Sequence, residues 1–192
     1  RPVVTSIRKT VPKVLLSIDT CRSSGAKQSI GIGAALITEI SAGKLDVNML
    51  HTIADLHVPC SMMHMKGTPQ TMQQHTNYQN LTKELLFYFS ERIAAARHLG
   101  IVDLIVDPGF GFAKTKEQNF ELLNQLELFD ILELPLLVGV SRKSMIYKTL
   151  ENSAKEALNG TTVLNTIALQ KGASILRVHD VKEAVECIKL VE

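Results

Sequence analysis

Six short, nearly continuous apolar runs lie along the chain, and segments with apolar residues at helical spacing separate them. A continuous apolar run between polar turns is typical of a strand buried on both faces of a parallel sheet. Alternation of such strands with helices predicts an α/β protein whose parallel sheet is covered by helices. The predicted strands are residues 14–19, 34–40, 60–65, 104–107, 135–140 and 175–179.

The clearest predicted helix covers residues 81–98, where Leu81, Leu85 and Phe89 share one face and Gly100 follows as a C-cap residue. Residues 66–80 before it form a polar connection that is long for a strand-to-helix loop, and such loops are often functional. Other helix starts are predicted from capping residues: Asp46, Thr115 with Gln118, Ser153 with Glu156, and Asp180 with Glu183.

The strand count leaves two architectures open. Six strands do not close an eight-stranded barrel, whereas an open doubly wound sheet accommodates six. The length of 192 residues suits a single domain. The chain opens on Arg1 inside a predicted amphipathic helix, so we expect that upstream residues are missing from this sequence.

Composition excludes several classes of partner. The net charge is +2 with both signs interspersed, which leaves no electrostatic surface for nucleic acid or membrane. No apolar run is long enough to span a bilayer and no signal peptide is evident. The cysteines are Cys21, Cys60 and Cys187, an odd number without a CxxC pair, which predicts free thiols and a cytoplasmic location.

Each predicted strand ends in a different cluster of polar residues. Chemistry gathered at the carboxyl ends of successive strands is how α/β barrels and open sheets build one active site. Asp19 and Asp107 follow two of the strands. Two converging carboxylates suit acid–base chemistry or the paired N–H donors of a flat heterocycle. Alternatively, Asp19 caps the next helix and Asp107 binds loop amides.

The loop after Asp107 reads Pro-Gly-Phe-Gly-Phe and ends at Phe112. It has neither the dinucleotide-binding fingerprint nor the lysine spacing of a P-loop. Phe110 is most simply a buried ring in a tight turn. Phe112 is a candidate for stacking on an aromatic substrate.

Cations follow the last two strands. Lys143, within Ser-Arg-Lys-Ser, is a candidate Schiff-base nucleophile or a hydrogen-bond donor to a ring carbonyl or nitrogen; a solvated turn is the alternative. Arg177 and His179 are separated by one residue and so project from the same side of their strand, just before a helix start, which suits an anion such as diphosphate. The run Met62 to Met65 around His64 is more simply packing than a soft-metal site.

Taken together, these segments resemble dihydropteroate synthase, a pterin-binding (β/α) barrel enzyme of folate synthesis. The resemblance runs the whole length in the family's order. The matching segments are Ser17-Ile18-Asp19-Thr20, residues 63–72 (Met-His-Met-Lys-Gly-Thr-Pro-Gln-Thr-Met), residues 104–112 (Leu-Ile-Val-Asp-Pro-Gly-Phe-Gly-Phe), residues 136–144 (Leu-Leu-Val-Gly-Val-Ser-Arg-Lys-Ser) and Arg177-Val178-His179-Asp180.

The resemblance implies an activity and a set of site residues. The activity is condensation of 6-hydroxymethyl-7,8-dihydropterin diphosphate with 4-aminobenzoate, which gives 7,8-dihydropteroate and diphosphate. The implied catalytic residues are Asp107 and Lys143. The implied pterin-binding residues are Asp19, Thr38, Met63, Asp107, Gly139 and Lys143. Arg177 and His179 are implied to bind the diphosphate, and Phe112 and Ser144 to contact the aminobenzoate.

The resemblance also implies the fold and the partners. The fold is an α/β (β/α)8 TIM-type barrel, of which six βα units, the family's strands 3 to 8, are present in residues 1–192 as one pterin-binding domain. The expected cofactor is Mg2+, with its ligand in an amino-terminal segment outside this sequence and no metal ligand in this chain. A homodimer, small-molecule substrates and membership of a family that sulfonamides target are further expectations.

One departure from the family weakens a site residue. The family usually has Asn-Asp where this chain has Thr38-Glu39, and threonine offers one hydroxyl in place of an amide's donor and acceptor. A catalytically silent pterin-binding paralogue is therefore an alternative. Two further alternatives are a Schiff-base aldolase that uses Lys143 and a corrinoid-linked pterin methyltransferase. The Arg177/His179 pair and the Asp107 loop speak against the aldolase, and the clusters at 141–144 and 177–180 speak against the methyltransferase.

Overall fold

Helices and strands alternate along the chain in a computed structural model that describes residues 2–192. The strands are β1 (Ser17–Asp19), β2 (Leu36–Glu39), β3 (Cys60–Met63), β4 (Leu104–Asp107), β5 (Leu137–Val138) and β6 (Ile175–Leu176). The helices are α1 (Pro2–Thr10), α2 (Ser23–Gly31), α3 (Met49–Leu56), α4 (Leu81–His98), α5 (Lys116–Asn124), α6 (Ser144–Tyr147), α7 (Leu158–Gln170) and α8 (Val181–Val191). Short 3-10 helices cover Met72–Gln74 and Leu126–Leu132. The predicted α/β alternation is confirmed.

The described residues form two compact units. The first consists of residues 2–64 and Phe89–Val106, and the second of Met65–Tyr88 and Asp107–Glu192. The prediction of a single domain stays a prediction. In the part of the chain that the structure describes, no helix is long and apolar enough to cross a membrane.

The first unit is built on a four-stranded sheet in the order β1-β2-β3-β4. β1 pairs with β2 and β2 with β3 in parallel, and the register places Asp19 beside Thr38 and Thr38 beside Ser61. Ile37 and Met62 are fully buried, as expected for strands covered on both faces. Parallel pairing in this register brings the carboxyl ends of the strands, and the polar residues there, to one edge of the sheet.

The second unit contains the parallel pair β5 and β6, in which Leu137 lies beside Ile175 and Val138 beside Leu176. α7 packs against α8, and α6 against α5 and α7. Because the two strands run parallel and end in register, the segments that follow them begin at the same edge. These segments are residues 139–143 and 177–180, which include the predicted site residues Gly139, Lys143, Arg177 and His179.

The capping predictions have mixed outcomes. Thr115 and Gln118 form the predicted capping box at the start of α5. The cap of α3 is Asn48 rather than Asp46, whose carboxylate instead accepts the backbone N–H groups of Ser23 and Asn48. That prediction was wrong because the Asp46 carboxylate accepts the backbone N–H of Ser23, which lies 23 residues away in sequence.

The prediction that Ser153 caps a helix was also wrong. The Ser153 backbone N–H does donate to the Glu156 carboxylate at 3.1 Å, which is one of the two hydrogen bonds of a capping box. However, α7 begins only at Leu158, after Ala157. The Ser153–Glu156 contact therefore closes a turn that precedes the helix.

Candidate active site

The second unit contains a cavity of about 250 Å³ at the ends of β5 and β6. This volume suits a small ligand, since pockets for drug-sized molecules begin at about 300 Å³. Its lining includes most of the residues that the sequence singled out in this unit. The lining residues are Asp107, Phe112, Gly139, Ser141, Lys143, Arg177, Val178 and His179.

Asp107 is the last residue of β4 and is only 4% exposed. Its Oδ1 accepts the backbone N–H of Gly109 at 2.8 Å, so the predicted loop-amide contact is present. Burial raises the pKa of Asp107, while that hydrogen bond and the charges of Lys143, Lys114 and Arg177 oppose the rise. A buried carboxylate that lines a cavity among three cations is well placed to accept N–H donors from a ligand.

A tight turn follows Asp107. Its closing hydrogen bond runs from the Phe112 N–H to the Gly109 carbonyl at 3.1 Å. Gly111 adopts a φ of +80°, a backbone conformation that glycine reaches without strain. Phe110 is fully buried, as predicted, whereas Phe112 is half-buried and its ring lines the cavity. The loop therefore anchors one ring in the core and presents the other to a ligand.

Lys143 reaches this turn from the segment after β5. Its Nζ donates to the Phe110 carbonyl and lies 5.0 Å from the centroid of the Phe112 ring, a cation–π distance. Burial lowers the pKa of Lys143 to about 8, although the charge of Asp107 opposes that change. Lys143 is thus held on the aromatic turn near the Asp107 carboxylate. This position suits a hydrogen-bond donor to a substituent on a bound ring.

Arg177 and His179 follow β6 on the cavity wall, and both residues are exposed. The hydroxyl oxygen of Ser141 lies 2.9 Å from Nδ1 of His179 and accepts the His179 backbone N–H at 3.2 Å. When the hydroxyl donates its own proton to Nδ1, the neutral imidazole is protonated at Nε2. The imidazole then has an N–H to donate toward an anion beside the arginine.

Arg142 does not share in this cavity, although it stands next to Lys143. Its guanidinium forms a bidentate pair with Asp180, with Nε and Nη2 each 2.8 Å from a carboxylate oxygen. Nη1 donates to the carbonyls of Ala154 and Lys155. Asp180 stands at the N-cap position of α8 but makes no side-chain cap, so the predicted cap with Glu183 was wrong. Its carboxylate binds Arg142 instead.

The other two predicted site residues of the second unit are Gly139 and Ser144. Gly139 lines the cavity directly after β5. Ser144 is the first residue of α6, next to Lys143, and is half-buried. The roles inferred for both from the family resemblance stay predictions.

The first unit carries the remaining three predicted residues at its strand ends. Asp19 ends β1 and is exposed, Thr38 is 6% exposed in β2, and Met63 is buried as the last residue of β3. The Thr38 and Ser17 hydroxyl oxygens lie 2.8 Å apart. The single hydroxyl of Thr38 is therefore already hydrogen-bonded to Ser17 on the neighbouring strand. The pterin-binding roles of these three residues stay predictions.

Glu39, the second half of the departure from the family pattern, closes a turn. Its buried carboxylate accepts the backbone N–H groups of Ser41 and Gly43 and the Ser41 hydroxyl. Burial raises the pKa of Glu39, and these hydrogen bonds oppose the rise. The longer acidic side chain is thus accommodated by the turn that follows β2.

The methionines around His64 pack as predicted, since Met62, Met63 and Met65 are all buried. His64 lies edge-on to the ring of Phe89 at 6.5 Å. Among residues 2–192, no three His, Cys, Asp or Glu residues are grouped to hold a metal ion.

Sequence reasoning missed three polar residues, of which Ser141 lines the cavity while Lys114 and Asn119 contact the aromatic turn. Ser141 orients His179, Lys114 is buried at 3% exposure, and Asn119 accepts the Gly111 N–H at 2.6 Å. Ser141 was identified only as one of two hydroxyls in its cluster. For Asn119 the available signal was its closeness in sequence to the aromatic turn, whereas nothing in the residue spacing indicates that Lys114 is buried.

Comparisons with known proteins identify the family. The family model for "Pterin binding enzyme" matches residues 1–179. The chain therefore belongs to the pterin-binding enzymes. Dihydropteroate synthase of Escherichia coli K12 is 40% identical over the whole chain, which covers 68% of that protein, and that of Synechocystis is 40% identical over the whole chain, which covers 67%. Within the pterin-binding enzymes the chain is thus a member of the dihydropteroate synthases, which are transferases.

Solved structures show the same relationship. A Yersinia pestis dihydropteroate synthase in a sulfonamide drug complex matches with a TM-score of 0.94 at 37% identity, over 99% of this chain and 69% of that one. The Stenotrophomonas maltophilia enzyme, with imidazole in its active site, matches with a TM-score of 0.94 at 33% identity, over 98% of this chain and 72% of that one. These matches confirm the predicted fold class, a TIM-type α/β barrel fold represented here by six βα units.

Proposed function

We propose that the cavity of the second unit binds the diphosphate ester of 6-hydroxymethyl-7,8-dihydropterin and supports its condensation with 4-aminobenzoate. One observation carries this proposal: a buried carboxylate, a lysine, an arginine and a histidine line a single small cavity beside an aromatic ring. A flat heterocycle, a diphosphate and an aromatic amine together require these kinds of groups.

The diphosphate is assigned to Arg177 and His179. A guanidinium binds phosphate oxygens with two N–H groups, and the His179 Nε2–H adds a third donor. These groups stabilise the negative charge that develops as the C–O bond to diphosphate breaks. The pterin methylene carbon then carries positive charge, the amine nitrogen forms the new C–N bond, and the proton lost from that nitrogen passes to solvent.

The pterin ring is assigned to Asp107 and Lys143. The ionised Asp107 accepts N–H donors from the amino-pyrimidine edge, and Lys143 donates to a ring carbonyl or nitrogen. Both groups are fixed before any ligand arrives, Asp107 by the Gly109 N–H and Lys143 by the Phe110 carbonyl. Such preorganisation reduces the entropy lost when the ring binds.

The aminobenzoate is assigned to the Phe112 ring and to Ser144. An aromatic ring at the cavity wall offers a stacking or edge contact to an aromatic amine. A sulfonamide shares that aromatic amine, so we propose that sulfonamides compete at this position.

We further propose that Mg2+ accompanies the diphosphate. Mg2+ prefers oxygen ligands, whereas the cavity wall near Arg177 and His179 presents nitrogen donors. The residues present do not by themselves fit the ion. Free thiols at Cys21, Cys60 and Cys187 support a cytoplasmic location, and family membership supports a homodimer.

The first test is binding of pterin diphosphate and of inorganic diphosphate by isothermal titration calorimetry. Arg177→Ala should weaken both by about 1.5–3 kcal/mol, because a charge-assisted hydrogen bond is lost. Arg97→Ala is the matched control, since it removes the same side chain from an exposed position on α4. Equal affinities for Arg177→Ala and the unchanged protein would show that the diphosphate does not bind at this site.

A further inference from the structure

Lys114 is a buried lysine that neither the sequence pattern nor the family resemblance assigned to the site. It is 3% exposed, whereas Lys116 nearby is exposed. Burial of an ammonium group is costly unless the group is hydrogen-bonded or paired with an opposite charge. The partners of Lys114 therefore indicate what its burial achieves.

Two of those partners lie at the two ends of the aromatic turn. Lys114 Nζ donates to the Gly109 carbonyl at 3.0 Å and to the Phe112 carbonyl at 3.1 Å. Gly109 and Phe112 are also the residues that the closing backbone hydrogen bond of the turn joins. The lysine thus binds both ends of the turn with one group.

The turn determines the position of two groups that face the cavity. The Phe110 carbonyl inside it accepts from Lys143, and the Phe112 ring at its end lies 5.0 Å from Lys143 Nζ. A change in the turn would therefore move the Phe112 ring and the anchor of Lys143 together. The charge of Lys114 also lowers the pKa of Asp107, against the effect of burial.

Other contacts hold neighbouring parts of this loop. The Tyr78 hydroxyl donates to the Ala113 carbonyl at 2.9 Å, and Asn119 accepts the Gly111 N–H. These contacts remain when Lys114 is removed. Loss of its ammonium group should therefore loosen the turn without unfolding the loop.

We propose that Lys114 is a positioning residue for the synthase reaction: it fixes the Gly109–Phe112 turn, and through that turn the Phe112 ring and Lys143. The inference deepens the proposed function and rests on it. It predicts that Lys114 acts on binding of the aromatic amine and the pterin rather than on the diphosphate, which Arg177 and His179 bind from another segment.

The test compares Lys114→Met, Lys114→Arg and the control Lys116→Met. For Lys114→Met we expect the KM for 4-aminobenzoate to rise about tenfold, equivalent to one lost charge-assisted hydrogen bond. The Kd for inorganic diphosphate should stay within about twofold, since it does not depend on the turn. Lys114→Arg should recover most of the loss because a guanidinium can donate to both carbonyls.

Hydrogen–deuterium exchange provides a readout that does not depend on turnover. Lys114→Met should speed exchange at the Gly111 and Phe112 amides while α7 and α8 exchange as before. Exchange and kinetics like those of Lys116→Met would overturn the proposal, and so would faster exchange throughout the chain, which indicates a merely structural role. If the unchanged protein shows no turnover, the proposed function fails, and the exchange data still decide whether Lys114 holds the turn.

Discussion

A methyl group added at Gly111 would test whether the aromatic turn positions Lys143. Gly111 has a φ of +80°, and a Cβ built there would lie 3.3 Å from Lys143 Cδ. Carbon atoms normally approach to about 3.5–4.0 Å, so the lysine side chain or the turn must shift by a few tenths of an ångström. Gly111→Ala therefore combines backbone strain with displacement of a residue assigned to the pterin.

The size of each effect follows from the structure. An L-residue in the left-handed region costs roughly 1–2 kcal/mol. At about 2–4 °C per kcal/mol for a chain of this size, the thermal unfolding midpoint should fall by roughly 2–8 °C. Displacement of Lys143 should raise the Kd for pterin diphosphate about fivefold, since small misplacements at a reacting site are costly.

Gly100→Ala is the matched control for the strain. Gly100 has a φ of +83°, but a Cβ there would meet nothing within 4 Å. Scanning calorimetry should show similar losses of stability for the two variants, while titration calorimetry should show weaker pterin binding for Gly111→Ala alone. Unchanged pterin affinity in Gly111→Ala would refute the reasoning that the turn and Lys143 move together.

Two further predictions concern pH and the first unit. Burial lowers the pKa of Lys143 to about 8, so its ammonium group loses its proton as the pH rises through about 8. The affinity for the anionic pterin diphosphate should therefore fall above that pH. Binding titrations from pH 6 to 10 should show this fall in the unchanged protein and not in Lys143→Met. Thr38→Asn should leave pterin affinity equal or improve it, because an amide offers a donor and an acceptor; a clear loss by titration would show that threonine, bonded to Ser17, suits its surroundings better.

The sequence predicted the elements best where local patterns are strong. β4 and α4 have the predicted bounds, since an apolar run before Asp107 and a long helical periodicity leave little ambiguity. β5 and β6 are only two residues each, shorter than their apolar runs. The residues beyond them turn away to form the cavity wall, so the apolar run indicates burial rather than the extent of pairing.

The candidate site was predictable where one residue type carries the chemistry. Asp107, Lys143, Arg177 and His179 were identified from their positions after strands, and the structure places all four around one cavity. Asp180 shows where prediction from local sequence fails. The capping rule predicted that its carboxylate caps the last helix, but the carboxylate binds Arg142, which lies 38 residues earlier in the chain.

Lys114 shows a second limit. A lysine between a glycine-rich loop and a capped helix is typical of an exposed surface position. Its burial depends on carbonyl groups that point inward only once the turn after Asp107 has formed. Information of that kind lies in the backbone geometry and not in residue spacing.

The most direct test of the whole account is release of diphosphate from 6-hydroxymethyl-7,8-dihydropterin diphosphate, with Mg2+, in the presence and absence of 4-aminobenzoate. The proposed function predicts release that depends on 4-aminobenzoate, with formation of 7,8-dihydropteroate, and strong impairment in Lys143→Ala. A folded protein that binds the pterin diphosphate yet releases no diphosphate when 4-aminobenzoate is added would contradict it and favour a catalytically silent pterin-binding protein.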